Sequence, residues 1–246
     1  MSAARPPLHP ERHRHYRYYD LVTVGFVTVL LCSNLIGPSK ACRLSLPGTD
    51  WSLTFGAGNI FFPIGYIFGD ILTEVYGYAR ARKVIWAGFG ALAFASLMSW
   101  VIIQLPPDPG ESHNAVIQPA LETCFGNTGR IVAASLFAFW CGDFANAYIL
   151  ARMKLLTRGR YLWTRTIAST AVGQGIDSFL FYPIAFFGIW EHGTLLTALL
   201  VNWGIKVSVE VLFTPLTYLI VFALKRAERE DFFDTDTQFT PFSIAD

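Results

Sequence analysis

Six long apolar runs divide the chain, and polar residues inside them recur at helical intervals. The runs cover 20–37, 58–77, 84–105, 130–151, 165–189 and 195–224. Each has about the 17–25 residues needed to cross roughly 30 Å of hydrocarbon as a helix, the last two with some excess. The pattern predicts an all-α integral membrane protein, a bundle of six transmembrane helices spanning 20–224. A basic tail, 1–19, precedes it, and a charged, solvated tail, 225–246, follows. The first run has an alternative reading as a signal peptide, because arginines precede it and Ser39-Lys40-Ala41 resembles a cleavage site. Its length exceeds a typical signal core, and Asn34 stands near its end, so a retained helix is expected.

Five carboxylates and one lysine sit inside these runs: Asp70, Glu74, Asp143, Asp177, Glu210 and Lys206. An ionisable group in hydrocarbon is costly and usually faces a cavity or a partner. Asp70 and Glu74 are spaced i, i+4, Asp143 and Asn146 i, i+3, and Gln174 and Asp177 i, i+3. Asn202, Lys206 and Glu210 form an i, i+4, i+8 stripe. Such spacings put each set on one helix face. Most of these groups share roughly one depth. Glu74 lies about one turn from the inner face, where snorkelling suffices to explain it. Lys206 can close an ion pair with Glu210 on its own helix. A partner across helices, Asp70 or Asp177, is the expected one, because one lysine cannot neutralise Asp70, Asp143, Asp177 and Glu210 together. The excess carboxylates must be protonated, water-facing or waiting for a cation. Pro63, Pro183 and Pro215 fall next to the polar stripes and are candidates for helix breaks. Gly173 and Gly175 permit close helix approach. Tyr66 and Phe68 on the second run, and Phe179, Phe181 and Tyr182 on the fifth, flank the acids and can stack on a flat ring.

Composition narrows the class. Charged residues are only 15% of the 246, against about 25% in ordinary soluble domains. The net charge of +1 gives no global field for nucleic acid. Lysine and arginine alternate from loop to loop. The first tail, 78–83, 152–165 and the C-terminal flank are rich in them, whereas 38–57, 106–129 and 190–194 are poor. By the positive-inside rule both termini are cytoplasmic. The five histidines lie outside the apolar runs and the four cysteines show no metal-ligand spacing, so neither metal nor cofactor is expected. Cys42 and Cys124 fall in extracytoplasmic loops, where a disulfide is possible but free thiols are the default. The four polar spans favour a transporter over a scaffold. The absence of a membrane histidine or catalytic pair argues against an enzyme.

The stretch FGAGNIFFPIGYIFGDILTEVYGYARARKVIW at 55–86 resembles the hallmark of the queuosine precursor transporter family, once described as vitamin uptake proteins. Two further blocks fit: ASTAVGQGIDSFLFYPIAF at 168–186, carrying Gly173, Gln174 and Asp177, and NWGIKVSVEVLFTPLTYLI at 202–220, carrying Lys206, Thr214 and Pro215. The resemblance implies import across the cell inner membrane of a deazapurine: 7-cyano-7-deazaguanine, 7-aminomethyl-7-deazaguanine or the base queuine. The residues expected to bind it are Tyr66, Asp70, Glu74, Asp143, Gln174, Asp177, Asn202, Lys206 and Glu210. A carboxylate can accept from the guanine-like N–H edge, and a spare one can pair with an aminomethyl cation. Two alternatives stay open: the substrate-binding subunit of an ATP-driven importer, whose ATPase would be a separate chain since this one has no Walker A sequence, and a transporter of another small heteroaromatic compound. Coupling ion and oligomeric state are open too.

Overall fold

Seven helices account for most of the regular structure among the described residues. The computed structural model describes residues 16–36, 41–45, 47–48, 52–126 and 129–243. In chain order come α1 (Tyr19–Leu35), β1 (Ala41–Ser45), β2 (Ser52–Gly56), a 3-10 turn (Ala57–Phe61), α2 (Phe62–Tyr76), α3 (Tyr78–Gln104), α4 (Asn114–Phe125), α5 (Gly129–Leu156), α6 (Leu162–Phe186) and α7 (His192–Glu228). By length and composition α3, α5 and α7 can each cross a membrane, at 27, 28 and 37 residues. The shorter α1 is apolar as well, at 17 residues.

Many apolar side chains point outward, and several charged ones are buried beside the apolar core. Phe94, Leu97, Leu212, Leu219 and Phe222 are exposed, whereas Asp70, Glu74, Arg165 and Glu210 are buried. A water-soluble fold does the reverse on its buried face; lipid tails make the outward leucines stable where they are. Helix α2 is the axis of the bundle. Residues 70–79, across the end of α2 and the start of α3, are buried without a break, and α1, α3, α5 and α7 all pack on α2.

Several expectations change here. Residues 78–83 are not a loop but the first turns of α3. Gly77 alone separates α2 from α3, with φ +87° and the Phe232 ring against its Cα. That backbone state and that contact exclude a side chain. The 106–129 segment contains α4, and the 38–57 segment contains an antiparallel hairpin that pairs Ala41 with Gly56, a small β addition to an otherwise helical fold. Pro63 does not break a helix. It sits in the first turn of α2, where its missing N–H costs nothing. Pro183 and Pro215 are inside α6 and α7. All four cysteines are unbridged.

The described part of the C-terminal segment folds back on the bundle, with Asp234 buried while much of the stretch stays exposed. After α7 the chain turns back across the ends of α2, α3 and α5. Asp234 accepts from the Tyr78 N–H at 3.0 Å, capping α3. Arg82, itself buried, donates to the Gln238 and Thr240 carbonyls at 2.8 and 2.7 Å. Trp86 Nε1 donates to the Pro241 carbonyl at 2.9 Å, and Phe239 packs on Tyr78 and Tyr148. Of the four phenylalanines in this stretch, Phe232 and Phe239 are half-buried, and Phe233 and Phe242 are exposed. At the same end of the bundle Glu228 accepts from the backbone N–H groups of Arg17 and Tyr18 at 2.9 and 2.8 Å, tying the start of α1 to the end of α7.

Candidate functional site

A close backbone contact sets up the site. Where α5 crosses α6, Gly142 meets Gly173. A Cβ on Gly173 would lie 2.8 Å from the Gly142 carbonyl oxygen and 2.7 Å from the Asn146 Cβ. With no side chains in the way, the two helices bring Asp143 and Asn146 of α5 against Gln174 and Asp177 of α6. Gly173→Ala is expected to lower stability by about 1–3 kcal/mol through overpacking. Gly175→Ala is the control, because its Cβ would meet Trp203 Nε1 at an ordinary 3.5 Å. Equal melting temperatures for the two variants would remove this role for Gly173.

A cavity of about 330 Å³ opens beside that crossing, at the lower end of the size range of small-molecule sites. Six of the expected residues line it: Tyr66 from α2, Asp143 from α5, Gln174 and Asp177 from α6, and Asn202 and Lys206 from α7. Asn146 lines it as well, and its Oδ1 is a buried acceptor with no hydrogen-bond partner among the described residues. Phe61, Phe139, Phe181 and Tyr182 supply aromatic wall, and Ser33, Asn34 and Ser135 a polar end. There the Ser135 hydroxyl donates to Asn34 Oδ1 at 3.2 Å.

Lys206 Nζ donates to Asp177 Oδ2 at 2.7 Å, joining α7 to α6 rather than closing on Glu210 one turn away. The Lys206 side chain is 8% exposed and that of Asp177 21%, so the carboxylate is the wetter partner. Asp143 faces the same space and brings a second carboxylate to Lys206, the one ammonium among the described residues that line it. The cavity therefore offers acidic acceptors, amide groups that both donate and accept, and aromatic faces. That set suits a flat, donor-rich heterocycle.

Three expected residues stand outside the cavity wall. Asp70 and Glu210 lie behind it, carboxyl against carboxyl, between α2 and α7. Glu74 is farther along α2 and does not snorkel. It is fully buried and accepts from Arg165 Nη2 at 2.8 Å and from Lys225 Nζ at 2.6 Å. Lys154 Nζ lies 3.4 Å from the same carboxylate and donates to the Glu74 carbonyl at 2.8 Å. Asp231 completes the cluster at 2.6 Å from Lys154 and 2.7 Å from Lys225. Burial pushes the Asp231 carboxyl up, but the hydrogen bonds and charges of the two lysines reverse this and hold it below the usual carboxylate range. Lys154, Arg165 and Lys225 read as loop and flank residues in sequence. The signal that they are partners is Glu74 itself, an acid placed within a turn of three basic segments.

Long apolar helices around an internal polar cavity define a multi-pass membrane protein. Residues 56–220 match the family described as "Putative vitamin uptake transporter". The chain is also 32% identical over 198 residues to a protein of Bacillus subtilis (strain 168) named "Probable queuosine precursor transporter", covering 80% of this chain and 81% of that one. No solved structure matches. The protein belongs to this transporter family, and is thus a transport protein.

Proposed function

We propose that the protein imports a queuosine precursor, 7-cyano-7-deazaguanine, 7-aminomethyl-7-deazaguanine or queuine, across the cell inner membrane, with the cavity as its binding site. The observation that carries this reading is the cavity wall itself. Asp143 and Asp177 can accept from the N1–H and 2-amino edge of a deazaguanine, Asn146, Gln174 and Asn202 can bond its remaining polar atoms, and Tyr66, Phe181 and Tyr182 can stack on the rings. Lys206 holds Asp177, so an incoming aminomethyl cation and Lys206 compete for one carboxylate. Asp70, Glu210 and Glu74 support the site without lining it.

In this reading α1, α2, α3, α5, α6 and α7 are the six spans. Helix α2, at 15 residues, reaches only about 22 Å at 1.5 Å per residue, and the 3-10 turn before it extends the span. Both termini are cytoplasmic, on the strength of the lysine and arginine alternation. A His113→Cys variant should then react with an impermeant maleimide on intact cells and Arg158→Cys should not; the opposite pattern would invert the topology.

The functional test is uptake of labelled precursors by cells that cannot make them. Expressing the protein should restore queuosine in tRNA from external precursor. If none of the three compounds enters above the empty-vector level, the substrate assignment is wrong.

A further inference from the structure

Asp70 and Glu210 are the least explained charged groups in the molecule. Asp70 is 0% exposed and Glu210 1%. Both Asp70 oxygens and Glu210 Oε1 are buried without a hydrogen-bond donor among the described residues. The two side chains meet each other across the α2–α7 interface. Two neighbouring ionised carboxylates out of water repel by several kcal/mol, whereas one proton between them turns repulsion into a hydrogen bond.

The cations nearby are spoken for. Arg165 of α6, the cation that acts on Asp70, donates to Glu74 at 2.8 Å, and Lys154 of α5 and Lys225 of α7 engage Glu74 and Asp231. Arg82 of α3 donates to tail carbonyls. On α1 the acid is Asp20, exposed in its first turn. Asp143 of α5 and Glu74 on α2 add further negative charge, and Tyr66 on α2 adds a neutral phenol. Lys206, one turn before Glu210, is held by Asp177.

We propose that Asp70 and Glu210 share a single proton and that this proton site couples to the cavity through Lys206; the coupling half rests on the transporter reading above. Gly69 and Thr73, on either side of Asp70 in α2, line the cavity, and so does Lys206. The carboxyl pair is therefore directly behind the binding wall. When the pair loses its proton, one O–H bond breaks and the proton passes to water through the cavity. A second negative charge then appears one turn from Lys206. Asp177 and Glu210 compete for the same ammonium, and each move of Lys206 toward Glu210 frees Asp177 for a substrate N–H or ammonium group. Proton loss and substrate capture are thus the same rearrangement seen from two sides.

Infrared difference spectroscopy on the purified protein in lipid tests the first half. The wild type should show a protonated-carboxyl C=O band at neutral pH that bleaches on alkalinisation, and Asp70→Asn and Glu210→Gln should each shift or remove it. These substitutions keep shape, so the paired variants guard against one failing to fold. No such band in the wild type, or a band untouched by both substitutions, overturns the shared proton. Proteoliposomes carrying a pH dye test the second half, with labelled 7-aminomethyl-7-deazaguanine as probe. Uptake accompanied by proton movement is expected; uptake with none overturns the coupling while leaving the transporter reading intact. A carboxyl band in a protein that takes up none of the precursors keeps the proton site and removes the transport reading.

Discussion

Lys206→Met is expected to abolish precursor uptake and to lower the amount of folded protein, while Lys206→Met combined with Asp177→Asn recovers the fold but not the uptake. The ion pair is short, at 2.7 Å, and mostly shielded on the lysine side. Removing one member of such a pair strands the other as an uncompensated charge, at a cost of up to about 3–5 kcal/mol when fully buried. Asp177 is 21% exposed, so the cavity can hydrate it and the loss falls short of that limit. Removing both charges removes the penalty but also the carboxylate that a substrate would use. Folded yield and labelled-precursor uptake, measured side by side, separate the two effects. Full uptake by the double variant would reduce the pair to a structural strut.

The second large effect belongs to Glu74→Gln. This carboxylate is the shared counter-charge of Arg165, Lys225 and Lys154. A glutamine keeps the volume and part of the hydrogen bonding but leaves cations on α5, α6 and α7 facing one another. Arg165 and Lys154 are each 1% exposed and cannot turn to water. Destabilisation of about 3–5 kcal/mol is expected, the range for breaking a buried pair, with the melting temperature in detergent as the measurement. A melting temperature equal to wild type would show that the cations find other partners. Asp231→Asn should cost far less, because its side chain is 48% exposed.

Much of the helical content was legible because lipid makes helices apolar over their whole length, and the breaks between runs are then plain. The polar stripes were legible as stripes for the same reason. Spacing of i, i+3 and i, i+4 puts Asp143 with Asn146 and Gln174 with Asp177, and these pairs do face one cavity. What spacing leaves open is how far each helix is rotated about its own axis. Asp70 and Glu210 point at each other behind the wall. Their position follows from how α2 and α7 pack, and no local pattern encodes that. Lys154, Arg165 and Lys225 were hidden by a conflict of rules. Basic residues at span ends satisfy the positive-inside bias whether they meet water or a buried acid. The tail after α7 reads as solvated by its charges, and what no local pattern shows is that Phe232, Phe239 and Asp234 dock on the helix ends, the Tyr78 N–H that Asp234 accepts from lying 156 residues earlier in the chain.

The ion cluster around Glu74 also dictates when the protein can be finished. Lys225 follows Glu74 by 151 residues, and Asp231 comes later still. At roughly 5–20 residues per second of synthesis, Glu74 waits roughly 8–30 s for its last cation. For the first 80 residues of that interval, until Lys154 is made, α2 holds an acid with none of its cations, which favours keeping its end near water or proton-bound. Seating α2 as the central helix is therefore a late event of biogenesis, and a ribosome stalled before α7 would leave a chain that cannot close its own centre.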